Sequence, residues 1–150
     1  MWNSNKSITL SCICTKLVII LIFLCGLFLP NLIGIYQSMG NFYVDDSGIK
    51  AFSMVLYACC IPAFVALFSL DRMLANIKKD EVFIHKNVTY LRIISWCCFG
   101  VAILCVIAGF YYLLFLFMAA VAGFIGLILR VVKNVIEQAV CIKAENDFTI

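Results

Sequence analysis

The chain alternates long apolar runs with short polar ones, and the lengths of the apolar runs decide what they can be. Residues 17–36 and 51–70 are each 20 residues without a charge. At 1.5 Å rise per residue, such a run covers about 30 Å as a helix, the thickness of a hydrocarbon core. Residues 93–129 form a third charge-free run, 37 residues long. One helix of that length would reach about 55 Å, so two spans joined by a tight hairpin fit better. Gly109 and the pair Tyr111–Tyr112 mark the break, with the tyrosines at the interfacial depth they prefer. The pattern predicts four transmembrane helices, about 17–36, 51–70, 93–110 and 113–131, in one domain over residues 1–150. The fold class expected is all-α, an antiparallel four-helix membrane bundle. Pro30 should kink or terminate the first helix, whereas Pro62 in mid-span is tolerable where neighbours satisfy the freed carbonyl.

The polar segments orient these spans. Residues 71–92 carry Arg72, Lys78, Lys79, Lys86 and Arg92, 5 of the 11 basic residues. A loop of this kind stays in the cytoplasm, and an even number of spans puts both termini there too. The turn-rich segment 37–50, with Gly40, Asp45, Asp46 and Lys50, then faces outward. The two faces carry +4 and −1, which recover the +3 of the whole chain. A basic start before an apolar run also resembles a signal peptide, but this run exceeds an h-region of about 7–15 residues and no Ala-x-Ala-like site follows. It is read as a retained span in a multi-pass membrane protein.

Composition supports that reading. The chain is 65% hydrophobic and 13% charged, with a mean hydropathy of +1.11. Soluble domains are roughly 25% charged, so the lipid bilayer is the solvent that fits. The small positive balance sits beside the spans, which argues against direct nucleic-acid binding. Of nine cysteines, Cys25, Cys59, Cys60, Cys97, Cys98 and Cys105 lie in apolar runs, where a free thiol behaves as a small hydrophobe. Cys12, Cys14 and Cys141 fall near the cytoplasmic face, so no structural disulfide is expected.

No Asp, Glu, Lys, Arg or His lies at mid-depth in a span, which argues against a pump or proton-coupled transporter. Thiol oxidoreduction needs paired accessible thiols, commonly Cys-x-x-Cys, and here the pairs are adjacent or spaced by one. No phosphate-binding glycine loop, nucleophile elbow or paired carboxylate set is present, and His85 is the one histidine. The expectation is a protein that is not an enzyme and holds neither cofactor nor metal. Ala119/Gly123, Ala122/Gly126 and Cys98/Ala102 give small-xxx-small pairs, suited to packing inside the bundle or to a homo-oligomer interface.

On the inner side two helices run on past the membrane. Leu70, Met73, Leu74 and Ile77 recur on one face, which carries the second helix to about Lys79. Val132, Val135, Ile136, Ala139 and Ile142 do the same after the fourth span, a projection of about three turns. These extensions either form a groove for a partner helix or lie in the headgroup layer with Lys78, Lys79 and Lys133 snorkelling.

Residues 76–83 (NIKKDEVF), 87–99 (NVTYLRIISWCCF) and 129–150 (LRVVKNVIEQAVCIKAENDFTI) resemble an uncharacterised bacterial four-helix membrane family, often called YoaS-like. Its pattern is an NIKKGE-type turn, an NV-x-x-LR-x-I helix start and a closing ENDLTI. This chain has Asp80 in place of Gly, Phe148 in place of Leu, and Ile84 where Ser or Thr would cap the next helix. The genes of that family often neighbour one for a very small helix-turn-helix regulator. The resemblance implies a regulatory or scaffolding role in which the inner face holds or releases such a regulator. The residues it points to are Asn76, Lys78, Lys79, Glu81, Phe83, Asn87 and Arg92, with Glu145, Asn146 and Asp147 of the tail. Their other role would be to pin loop and tail to each other. The rival expectation is a transporter-class or self-immunity protein that binds an apolar peptide or toxin within the bundle.

Overall fold

The computed structural model describes residues 4–39, 46–110 and 113–147. They form four helices: α1 Ser4–Met39, α2 Asp46–Ile77, α3 His85–Gly109 and α4 Leu113–Asp147. Among the described residues there is no strand, and each expected span lies inside one helix. All four helices are long and apolar enough to cross a bilayer, so the protein is an all-α, multi-pass membrane bundle. The outer-loop residues 40–45, the Tyr111–Tyr112 pair and the closing residues 148–150 lie outside the described residues.

The helices outrun the expected spans. α1, α2 and α4 have 36, 32 and 35 residues, about 54, 48 and 52 Å against about 30 Å of hydrocarbon. α1 neither stops nor ends at Pro30 but continues to Met39. The missing N–H there frees a single carbonyl, whereas leaving the helix in lipid would strand many more. α2 stops at Ile77, two residues short of Lys79. α4 runs from Arg130 to Asp147 beyond its span, about five turns rather than three. With no proline or glycine after Gly126 to bend it, this segment continues the line of the span as one helix.

Packing follows chain order: α1 on α2, α2 on α3, and α3 on α4, with no close backbone approach of α1 to α3 or α4. α3 is central. Its Asn87, Val88, Leu91, Ile94, Ser95, Cys105 and Ala108 are buried, at helical three- and four-residue steps. The small residues serve packing inside the chain. A Cβ on Gly126 would stand 3.3 Å from the Cys98 Cβ and the Phe99 ring, and one on Gly123 would be 3.9 Å from the Ala102 Cβ. At the same crossing Ser95 Oγ donates to the Gly126 carbonyl at 2.9 Å. Elsewhere aromatic pairs set the contacts, Phe23 edge-on to Phe64 between α1 and α2 and Phe52 tilted on Phe115 between α2 and α4.

Candidate functional site at the basic end

The α2–α3 connection is built by two asparagines. α2 closes with paired backbone bonds, Asp80 N–H to the Ile77 carbonyl at 3.1 Å and Glu81 N–H to the Asn76 carbonyl at 3.1 Å. This is a Schellman arrangement, whose penultimate residue must be left-handed. Asp80 takes that place with φ of 62°. It is the position where the resembling pattern has glycine, and aspartate is among the few other residues that adopt this conformation at modest strain.

The chain then turns around Asn87, which is 2% exposed. Its Nδ2 donates to the Glu81 carbonyl at 2.8 Å and the Val82 carbonyl at 2.9 Å. Its Oδ1 accepts from Asn76 Nδ2 at 2.9 Å. The side chain thus uses both donor hydrogens and an acceptor site on three groups, and the loop is tied to both helices by it. α3 itself starts without a side-chain cap, because Ile84 occupies the N-cap position.

A second cluster joins α3 to α4. Glu137 is paired with Lys133 one turn earlier and with Arg92 of α3 at 3.4 Å. Its carboxyl is held below the usual glutamate range, chiefly by the Lys133 hydrogen bond and then by the charges of Lys133, Arg92 and His85. Arg92 is exposed and Glu137 partly so, while Lys133 is mostly covered, so the Arg92 pair orients the helices more than it stabilises them. Just below, Arg130 lies over the Trp96 ring at 5.3 Å and Arg72 over Phe68 at 5.0 Å. Such cation–ring pairs at the ends of apolar runs mark the interfacial depth at this end of the bundle.

The residues singled out in the sequence therefore divide. Asn76 and Asn87 meet each other inside the loop, which is a structural role. Lys78, Lys79, Glu81 and Phe83 are exposed on the turn that those two hold. Arg92 belongs to the ionic cluster. Glu145 and Asn146 are exposed about two turns beyond Glu137, and Asp147 is the last residue of α4. Sequence reasoning missed Glu137 and Ser95. The i,i+4 spacing of Lys133 and Glu137 was a usable sign for the first. For Ser95, the sign was a lone hydroxyl in a span facing glycine on its neighbour. Other hydroxyls in and beside the spans (Thr15, Ser38, Ser53 and Ser69) bond to carbonyls of their own helix four residues back. Among the described residues no three His, Cys, Asp or Glu side chains gather as a metal site would need.

No curated protein and no solved structure matches this chain. Residues 24–150, which hold the α2–α3 turn, the Ser95–Gly126 crossing and the Arg92–Glu137 pair, match the model of a family described as "Protein of unknown function (DUF2975)", and the chain belongs to that family.

Proposed function

We propose that this chain is a non-enzymatic regulatory or scaffolding protein of the bacterial cytoplasmic membrane, with both termini and the α2–α3 turn inside the cell. In this reading the turn and the end of α4 hold a small helix-turn-helix regulator. The observation that carries it is the pre-ordered turn. Asn87 and the left-handed Asp80 fix its backbone, yet it presents Phe83 and the charges of Lys78, Lys79 and Glu81 to solvent. A fixed backbone lowers the ordering cost of binding, and an exposed aromatic beside charges is a common anchor at interfaces. The YoaS-like resemblance supplies the kind of partner, and the exposed acidic and amide side chains of Glu145 and Asn146 extend the surface.

The test is co-purification of the protein, in mild detergent, with a small helix-turn-helix protein of the kind that the resemblance implies. Phe83→Ala and the double change Lys78→Glu/Lys79→Glu should each reduce the recovered regulator about tenfold, since an interface anchor is worth about 1–2 kcal/mol or more. Recovery unaffected by both, or His85 reached by an impermeant label from outside intact cells, would overturn the proposal.

A further inference from the structure

α4 has a face that nothing among the described residues covers. On the side toward α3 stand Ala119, Gly126, Lys133 and Val140, spaced by seven. Ala119, Gly126 and Val140 are buried. The opposite side carries a second seven-residue pattern, exposed throughout and nearly four heptads long. Its first positions are Val121, Ile128, Val135 and Ile142, every one β-branched. Its fourth positions are Phe117, Phe124, Val131 and Gln138. Apolar positions at alternating three- and four-residue steps form the seam of a left-handed coiled coil. β-branched residues at the first positions are those that a two-stranded parallel seam takes there, with Phe, Val and Gln in place of leucine at the fourth.

Lipid can cover the part of this seam inside the bilayer, but not the rest. α4 continues as one helix past Arg130, and Ile142 lies about 18 Å further along it. The headgroup layer is only about 5–8 Å deep on each side, so Val135 and Ile142 (60% and 59% exposed) reach toward or into water. The occupant must follow the same line from the bilayer into the aqueous phase. A soluble partner cannot do that, whereas a second copy of α4 in the same membrane orientation can.

We infer that the protein is a parallel homodimer, with α4 paired to α4 of a second copy across a two-fold axis along the membrane normal. Seven apolar side chains, between 43% and 67% exposed, would bury on the order of 600 Å² per copy, about 1,200 Å² in all. That reaches the lower bound for stable interfaces. The drive comes from the stretch 135–142, which reaches toward water, since helix association in lipid gains nothing from hydrophobicity. The membrane stretch sets direction and register. Gln138 meets its own copy across the axis, a polar pair of the kind that fixes register in such seams. The inference is independent of the regulator, because Glu137 and the α3 contacts lie on the other side of the helix.

The experiment uses the chain in isolated membranes, with the half-buried Cys12 and the exposed Cys14, Cys25 and Cys141 changed to alanine. Gln138→Cys on the seam is compared with Lys143→Cys, about 140° round the helix. On mild oxidation Gln138→Cys should give a product of twice 16.8 kDa at least tenfold more efficiently than Lys143→Cys. Adding Val135→Asp to Gln138→Cys should remove most of that product while helical content, read by circular dichroism, is retained. Equal crosslinking at the two positions, no product at Gln138→Cys, a product with a different protein, or no effect of Val135→Asp would each overturn the inference.

Discussion

Removing the Asn87 side chain should open the α2–α3 turn, and the bonds around it fix how much that costs. Asn87→Ala deletes three hydrogen bonds, two to the Glu81 and Val82 carbonyls and one from Asn76 Nδ2. A neutral bond contributes about 0.5–1.5 kcal/mol net, and a buried group left unpaired costs about 1–3 kcal/mol. Glu81 is exposed, so water can reach its carbonyl, whereas Val82 is half-buried. The expected loss is about 2–4 kcal/mol. Asn76→Ala deletes one bond but strands the Asn87 Oδ1, an expected loss of about 1–2 kcal/mol. The two losses should not add. Once Asn87 is gone, Asn76 has no partner to lose, so the double variant should match Asn87→Ala within about 0.5 kcal/mol. Reversible unfolding in mixed micelles gives the energies, and protease cleavage within residues 78–84 reports opening of the turn. Additive losses, or an Asn87→Ala effect below about 0.5 kcal/mol with the turn still protected, would refute the network.

Three further outcomes follow from single positions. Asp80→Gly should raise stability by about 0.5–1 kcal/mol in the same unfolding assay, since glycine occupies the left-handed region without the Cβ strain. Gly126→Leu should destabilise the α3–α4 pair by about 1–3 kcal/mol, because even a Cβ stands 3.3 Å from Cys98 and Phe99, while Ser95→Ala should cost only about 0.6–1.5 kcal/mol, and micellar unfolding of each variant measures both. Glu137 has a folded pKa below its ordinary 4.5, so its contribution is present above pH 4.5 and is lost as pH falls through the lower folded value. Melting temperature from pH 7 to pH 3 should therefore converge between wild type and Glu137→Gln at the acid end only.

The spans were legible because hydropathy and length read the bilayer directly: three charge-free runs, two about the thickness of hydrocarbon and one nearly twice that, became four helices. Their true ends were not, since beyond the membrane a helix stops where its capping chemistry stops it. The Schellman turn at Asp80 ended α2 earlier than its apolar periodicity suggested. α4 met no such signal and ran on to Asp147. Pro30 did not end α1, because leaving the helix there would expose backbone to lipid. The small-residue pairs were visible as spacing, but which neighbour they faced depended on the α3–α4 register, and only the folded chain supplies that. The outward heptad of α4 escaped for a related reason. The apolar residues of a membrane helix are plentiful on all sides, so one seam stands out only when the buried side is known.

The same distinction bears on how the candidate surface should be probed. Asn76, Asn87, Lys78, Lys79, Glu81 and Phe83 share one short segment, and a resemblance alone cannot separate them. Geometry does: the two asparagines spend their polar groups on the loop itself, while the others point outward from it. A partner lost in Asn87→Ala would therefore report a collapsed turn, because that variant also opens the site to protease. A partner lost in Phe83→Ala, with the turn still protected, would report a missing contact. Only the second result speaks for recognition, and the Asn76/Asn87 cycle supplies the control that tells the two apart. If Phe83→Ala also exposed the turn, the side chain would belong to the fold and the docking surface would shrink to the charges of Lys78, Lys79 and Glu81.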